Sequence, residues 1–114
     1  MTEPLHVAYE RVCKKHPELR YSDLDGQLVV KTGRWTSVDP ETNYCFLDRQ
    51  AEALIESACV RWLLMNAEIP RELHMREERS EPTSYLVVFG FRKFIGPTLA
   101  HALLAACEAQ EKRA

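Results

Sequence analysis

The side chains able to do covalent or metal chemistry are four cysteines and four histidines, and their spacing decides which chemistry is open to them. Cys13-Lys14-Lys15-His16 sets a thiol and an imidazole one helical turn apart, a spacing that suits two ligands of one metal ion. A structural zinc site needs a second tight pair. Cys45, Cys59 and Cys107 come singly, with no C-x2-C or H-x3-H partner. Cys13, Cys59 and Cys107 fall on the apolar stripes of predicted helices, where a free cysteine behaves as a small core hydrophobe. Cys45, between Tyr44 and Phe46, reads as a strand residue. No helix begins at it and no basic cluster adjoins it to lower its pKa, so a nucleophile assisted by His74 or His101 has no local support.

The carboxylates have equally plain readings. Glu77, Glu78 and Glu81 belong to a charged turn that water solvates, and Asp23 and Asp25 serve turn geometry. The four glycines (Gly26, Gly33, Gly90, Gly96) form neither GxGxxG nor GxxxxGK, so no phosphate-cradling loop is expected. These readings together point to no catalytic residue, no metal site and no cofactor.

Recognition chemistry is better represented. Arg34-Trp35 lies in a polar connection, and arginine and tryptophan dominate interface hot spots. The competing reading is that Trp35 folds back as a lid on the edge of the core. Phe91-Arg92-Lys93-Phe94-Ile95 brackets two cations with aromatics, as single-strand nucleic-acid readers do, and its cations could hold one anion beside the last helix. The candidate contact residues are therefore Arg34, Trp35, Arg92, Lys93 and Phe94.

Positioning these residues falls to a predicted order α-β-β-(β)-α-β-β-α. Thr2 is a candidate cap for a first helix ending near His16, where Pro17 stops it. Its stripe is Leu5, Tyr9, Val12, Cys13 and His16. A hairpin follows, with Leu19–Tyr21 and Gln27–Lys31 flanking the Asp25-Gly26 turn. Residues 32–42 read as a loop, and Asn43–Leu47 as a short third strand. Asp48 should cap a second helix running to about Asn66, with Ala51, Leu54, Ile55, Ala58, Cys59, Trp62, Leu63 and Met65 inward. Glu72–Glu77 and Tyr85–Phe91 make a second hairpin. The last helix, about Pro97–Glu111, turns Leu99, Ala102, Leu103, Ala106 and Cys107 to the core. Tyr85–Phe91 is apolar on both faces, whereas a one-sided antiparallel strand alternates apolar with polar. Either helices cover both faces, or one helix layer and a partner chain do.

The chain is 114 residues long, 46% hydrophobic and 28% charged, with a net charge of −2, which excludes a disordered or low-complexity protein. That size fits a single domain, 1–114. The near-neutral charge disfavours a general nucleic-acid or anionic-membrane binder, whose affinity comes from a basic excess. The N-terminus, MTEPLHVAYE, has no apolar signal core, and no window approaches a membrane span. A reduced, cytoplasmic protein is the expectation.

Two segments resemble small bacteriophage proteins of the phage ABA sandwich type. Phe46-Leu47-Asp48-Arg49-Gln50-Ala51-Glu52-Ala53-Leu54-Ile55-Glu56 is similar to that family's aromatic–aspartate entry into an alanine-rich helix. Gly96-Pro97-Thr98-Leu99-Ala100-His101-Ala102-Leu103-Leu104-Ala105-Ala106 is similar to its terminal helix. The first helix, the Asp-Gly hairpin and residues 72–84 depart from the pattern. The resemblance implies a layered fold and a phage or prophage origin, hence a host-cell cytoplasm. It supplies no catalytic residues.

The expectation is an α+β layered sandwich: an antiparallel sheet of four to five strands, in two hairpins, packed by three helices. Functionally it is a non-enzymatic binding protein that contacts a host protein or a second copy of itself. A nucleic-acid accessory protein using Arg92, Lys93 and Phe94 is the alternative, and a small thiol enzyme or zinc protein is the third reading.

Overall fold

Pro4, in an extended conformation, starts the first helix, α1 (Leu5–Lys15), at no cost in backbone donors. Its carbonyl accepts from the Val7 and Ala8 amides at 3.1 Å each. The computed structural model describes residues 3–23, 26–38, 45–66, 72–78, 84–90 and 92–110. The expected cap at Thr2 lies outside them. His16 closes α1 by donating its amide to Val12 at 2.9 Å, because Pro17 cannot carry the ladder onward.

Pro17–Leu19 is a single 3-10 turn, not the start of a strand. Leu19 is drawn into the core at 1% exposure, and that burial outweighs its place in the expected hairpin. Pairing begins later, with β1 (Ser22–Asp23) antiparallel to β2 (Gly26–Lys31) in the register Ser22↔Gln27 and Asp23↔Gly26.

The stretch expected as a loop contains a strand, β3 (Arg34–Val38), paired with β2 from Lys31↔Arg34 to Gln27↔Val38. The reason is the turn chemistry of Thr32-Gly33. Both residues have positive φ, 49° and 75°, the twist of a type I′ hairpin turn, so Gly33 reverses the chain between two strands. Then β4 (Cys45–Phe46) pairs with β3 and completes a sheet of order β1-β2-β3-β4.

Helix α2 (Asp48–Asn66) starts one residue earlier than expected, so Asp48 occupies its first turn, where a negative charge suits the helix dipole. The Gln50 side chain reaches back and accepts from the Leu47 amide at 3.0 Å, one half of a capping box. Ala51, Ile55, Cys59, Trp62 and Leu63 form its buried stripe. Met65, expected inward, is 66% exposed.

The second hairpin has the expected partners, β5 (Leu73–Glu78) and β6 (Ser84–Phe89), in register from Leu73↔Phe89 to Glu78↔Ser84. The chain then turns at Gly90, φ 67°, and pairs again as β7 (Arg92–Gly96), where a loop was expected. These strands make a second sheet of order β5-β6-β7. Helix α3 (Leu99–Ala109) follows, capped by Thr98, whose Oγ1 accepts from the His101 amide at 3.1 Å. Gly96 lies hard against that first turn. A Cβ built there would sit 2.8 Å from the Ala102 amide nitrogen and from His101 Cβ.

Three helices and antiparallel strands make the α+β fold expected from the sequence; the described strands number seven and divide between two sheets. The core joins Tyr9 and Val12 of α1, Ile55 and Leu63 of α2, Leu103 and Cys107 of α3, Leu28 and Trp35 of the first sheet, and Val87 and Phe89 of the second. The molecule measures 43 × 39 × 20 Å. Helix α3 packs on β6 and β7, and α1 and α2 pack on α3.

Candidate contact surface

Register and alternation sort the second sheet into two faces. Leu73, Val87, Phe89 and Phe94 face the helices and belong to, or pack on, the core. The opposite face carries Leu86 and Val88 on the central strand, His74, Arg76 and Glu78 on β5, and Lys93 and Ile95 on β7. Helix α3 packs on the other face, where Val87 and Phe89 join the core. Ile95 is 66% exposed, while Leu86 is shielded to 4% without belonging to the main core. His74, Arg76, Leu86, Val88 and Lys93 line a hollow of about 440 Å³ on this face. The apolar strip is therefore framed by basic side chains and by one ion pair, Arg76 with Glu78 at 3.0 Å. His74 sits 3.1 Å from Glu72 at the rim.

The five contact residues inferred from sequence are not brought together. Arg34 and Trp35 stand on β3 in the other sheet, and a strand sends neighbours to opposite sides. Arg34 is exposed, but Trp35 is 7% exposed and rests on Tyr9 with ring centroids 5.6 Å apart. The lid reading holds, and Trp35 is no free anchor. Arg92, Lys93 and Phe94 are likewise divided by the alternation of β7. Lys93 joins the open face, whereas Arg92 lies 5.3 Å over the Phe94 ring on the helix side. Phe94 is half-buried against the core. Sequence motifs do not single out the open-face residues His74, Arg76, Leu86, Val88 and Ile95. The signal for them was the doubly apolar strand combined with the partners its register supplies.

The thiols sit in environments of two kinds. Cys13, Cys59 and Cys107 are buried, and Cys45 is exposed on β4. Burial pushes the Cys13 thiol up to about 11. Burial, and next the neighbouring Cys107, raises Cys59 well above the ordinary thiol range. His16 does not stand open beside Cys13. Its Nε2 donates to the Gln110 carbonyl at 3.1 Å, and its ring leans on Trp62, centroids 4.4 Å apart at a tilt of 38°. Among the described residues, no three His, Cys, Asp or Glu side chains gather as a metal site would require. No described helix is long and apolar enough to cross a membrane. No protein-family model, curated protein or solved structure matches the chain.

Proposed function

We propose that this protein works by protein–protein contact, without chemistry of its own, through the open face of the β5-β6-β7 sheet. The observation that carries the reading is the apolar strip Leu86, Val88 and Ile95 on the sheet face turned away from the core helices among the described residues, with Ile95 66% exposed. An aliphatic centre rimmed by charged side chains is the anatomy of a contact patch. The partner is a protein: a second copy of the chain, or a host protein if the chain comes from a phage or prophage as its resemblance implies. The Arg34-Trp35 anchor drops out of this proposal, and Lys93 remains as part of the rim.

The test is Ile95→Lys, a change at an exposed position that leaves the fold intact. In sedimentation, concentration-dependent self-association that the variant abolishes identifies the partner as a second copy. If the wild type stays monomeric, wild type and variant are compared as baits. A protein held by the wild type and released by the variant supports the proposal. Two baits that behave alike, with a monomer throughout, overturn it.

A further inference from the structure

A cleft on the far side of α2 has the lining of a small-molecule site. It lies between α2 and the segment running from the 3-10 turn into β1, with a volume of about 340 Å³. That is within the range of ligand pockets. Arg20, Tyr21, Ser57, Arg61, Trp62 and Met65 are among its walls.

Arg20 is fixed in place there. Its Nη1 donates to Glu10 Oε1 at 3.0 Å and to the Leu28 carbonyl at 3.1 Å, and its Nη2 donates to Glu10 Oε2 at 2.9 Å. A guanidinium has five N–H donors, so Nε–H and one Nη2 hydrogen stay uncommitted along one edge of a rigidly held group. Such an edge matches two oxygens of a carboxylate or phosphate. Arg61 brings a second guanidinium, exposed and with no ion pair among the described residues. The remaining surface suits a planar apolar body. Trp62 is buried as part of the floor, held by its Nε1–H donating at 3.0 Å to Glu18, itself in the cleft wall, and by the His16 ring tilted against it. Met65 is two-thirds exposed and adaptable in shape.

We propose that this cleft binds a small aromatic oxyanion, its phosphate or carboxylate on the arginines and its ring against Met65, above the floor that Trp62 closes. The site is separate from the sheet face proposed for protein contact, and neither depends on the other.

The test reads the indole N–H resonances of the two tryptophans while phenyl phosphate is added to the whole chain. Trp62 lines the cleft and Trp35 packs on Tyr9, so the second tryptophan is an internal control. The Trp62 resonance should move and saturate, with half-saturation near 1 mM, as expected of a probe of roughly ten non-hydrogen atoms. Trp35 should stay still. Arg61→Ala should weaken binding about tenfold or more, the loss of one charge-assisted contact. Inorganic phosphate and neutral p-cresol, each carrying half of the probe, should bind at least tenfold more weakly. A stationary Trp62 resonance, equal movement of both tryptophans, inorganic phosphate binding as tightly as phenyl phosphate, or unchanged binding by Arg61→Ala each overturns the proposal.

Discussion

Replacing Tyr9 by Phe removes one oxygen from the centre of the molecule and leaves every carbon in place. The ring is fully buried and keeps its contact with Trp35, so the change opens almost no cavity. Its cost is polar. The hydroxyl donates to the Leu28 carbonyl at 3.1 Å and accepts from the Tyr21 amide at 3.2 Å, tying α1 to β2 and to the segment before β1. The Leu28 carbonyl keeps a second donor, Arg20 Nη1 at 3.1 Å, and loses little. The Tyr21 amide loses its acceptor. An orphaned donor costs about 1–3 kcal/mol, and Tyr21 is only half-buried, so the lower part of that range applies. With the hydrogen bond lost to Leu28, the total is about 1.5–2.5 kcal/mol. For a chain of this length that lowers Tm by about 6–10 °C. Urea denaturation followed by far-UV circular dichroism should show a lower midpoint with an unchanged slope, since the exposed surface is the same. A loss below about 0.5 kcal/mol would mean that water already serves the Tyr21 amide, and would refute the role given to the hydroxyl.

Three further outcomes follow from single residues. Thr32 is an exposed β-branched residue at φ 49° in the β2–β3 turn, its hydroxyl donating to the Lys31 carbonyl at 2.7 Å, and Thr32→Asn should raise stability by about 0.5–1 kcal/mol in thermal melts; a neutral or lower Tm contradicts the turn assignment. Iodoacetamide on the native protein should label Cys45 alone, while Cys13, Cys59 and Cys107 react only in denaturant, and mass spectrometry of the labelled chain decides it. The Arg20 guanidinium, through its hydrogen bonds, holds the Glu10 carboxyl below its ordinary value of 4.5. That pair therefore adds stability above about pH 4.5 and loses it as pH falls through the lowered folded value. Glu10→Gln should flatten this acid limb of the stability curve, and an unchanged limb rules the pair out as its source.

The helices were legible because each buries one stripe, and the periods of Tyr9, Val12 and Cys13 or of Ala51, Ile55 and Cys59 follow from that single fact. The strands β3 and β7 were not. Gly33 reads from sequence as loop punctuation and Gly90 as the interior of a strand running to Phe91, whereas each reverses the chain at positive φ between paired strands. A glycine signals the reversal without saying whether strands flank it. Once β3 is a strand, Trp35 must point to one side of it, and that side is the core. Leu19 and Met65 failed differently. One was pulled out of a hairpin by burial, and the other lies at the end of α2, beyond where the stripe meets the core.

The doubly apolar strand is the place where sequence and structure inform each other most. Sequence composition required that both sides of Tyr85–Phe91 be covered, but it could not say by what. The helices take Val87 and Phe89. On the other side, Leu86 is hidden at 4% exposure outside the main core, between its register partners Arg76 and Ile95. Long charged side chains can cover an aliphatic neighbour with their stems while their heads stay in water. Arg76 and Lys93 line the same hollow as Leu86 and Val88, where their stems can take that part. Ile95, at the edge strand, is the part that no stem covers. A partner that seats on Ile95 and displaces those stems gains apolar burial at the cost of reordering a few surface side chains. For that reason the outer face of β6, and not the buried Trp35, is where contact should begin.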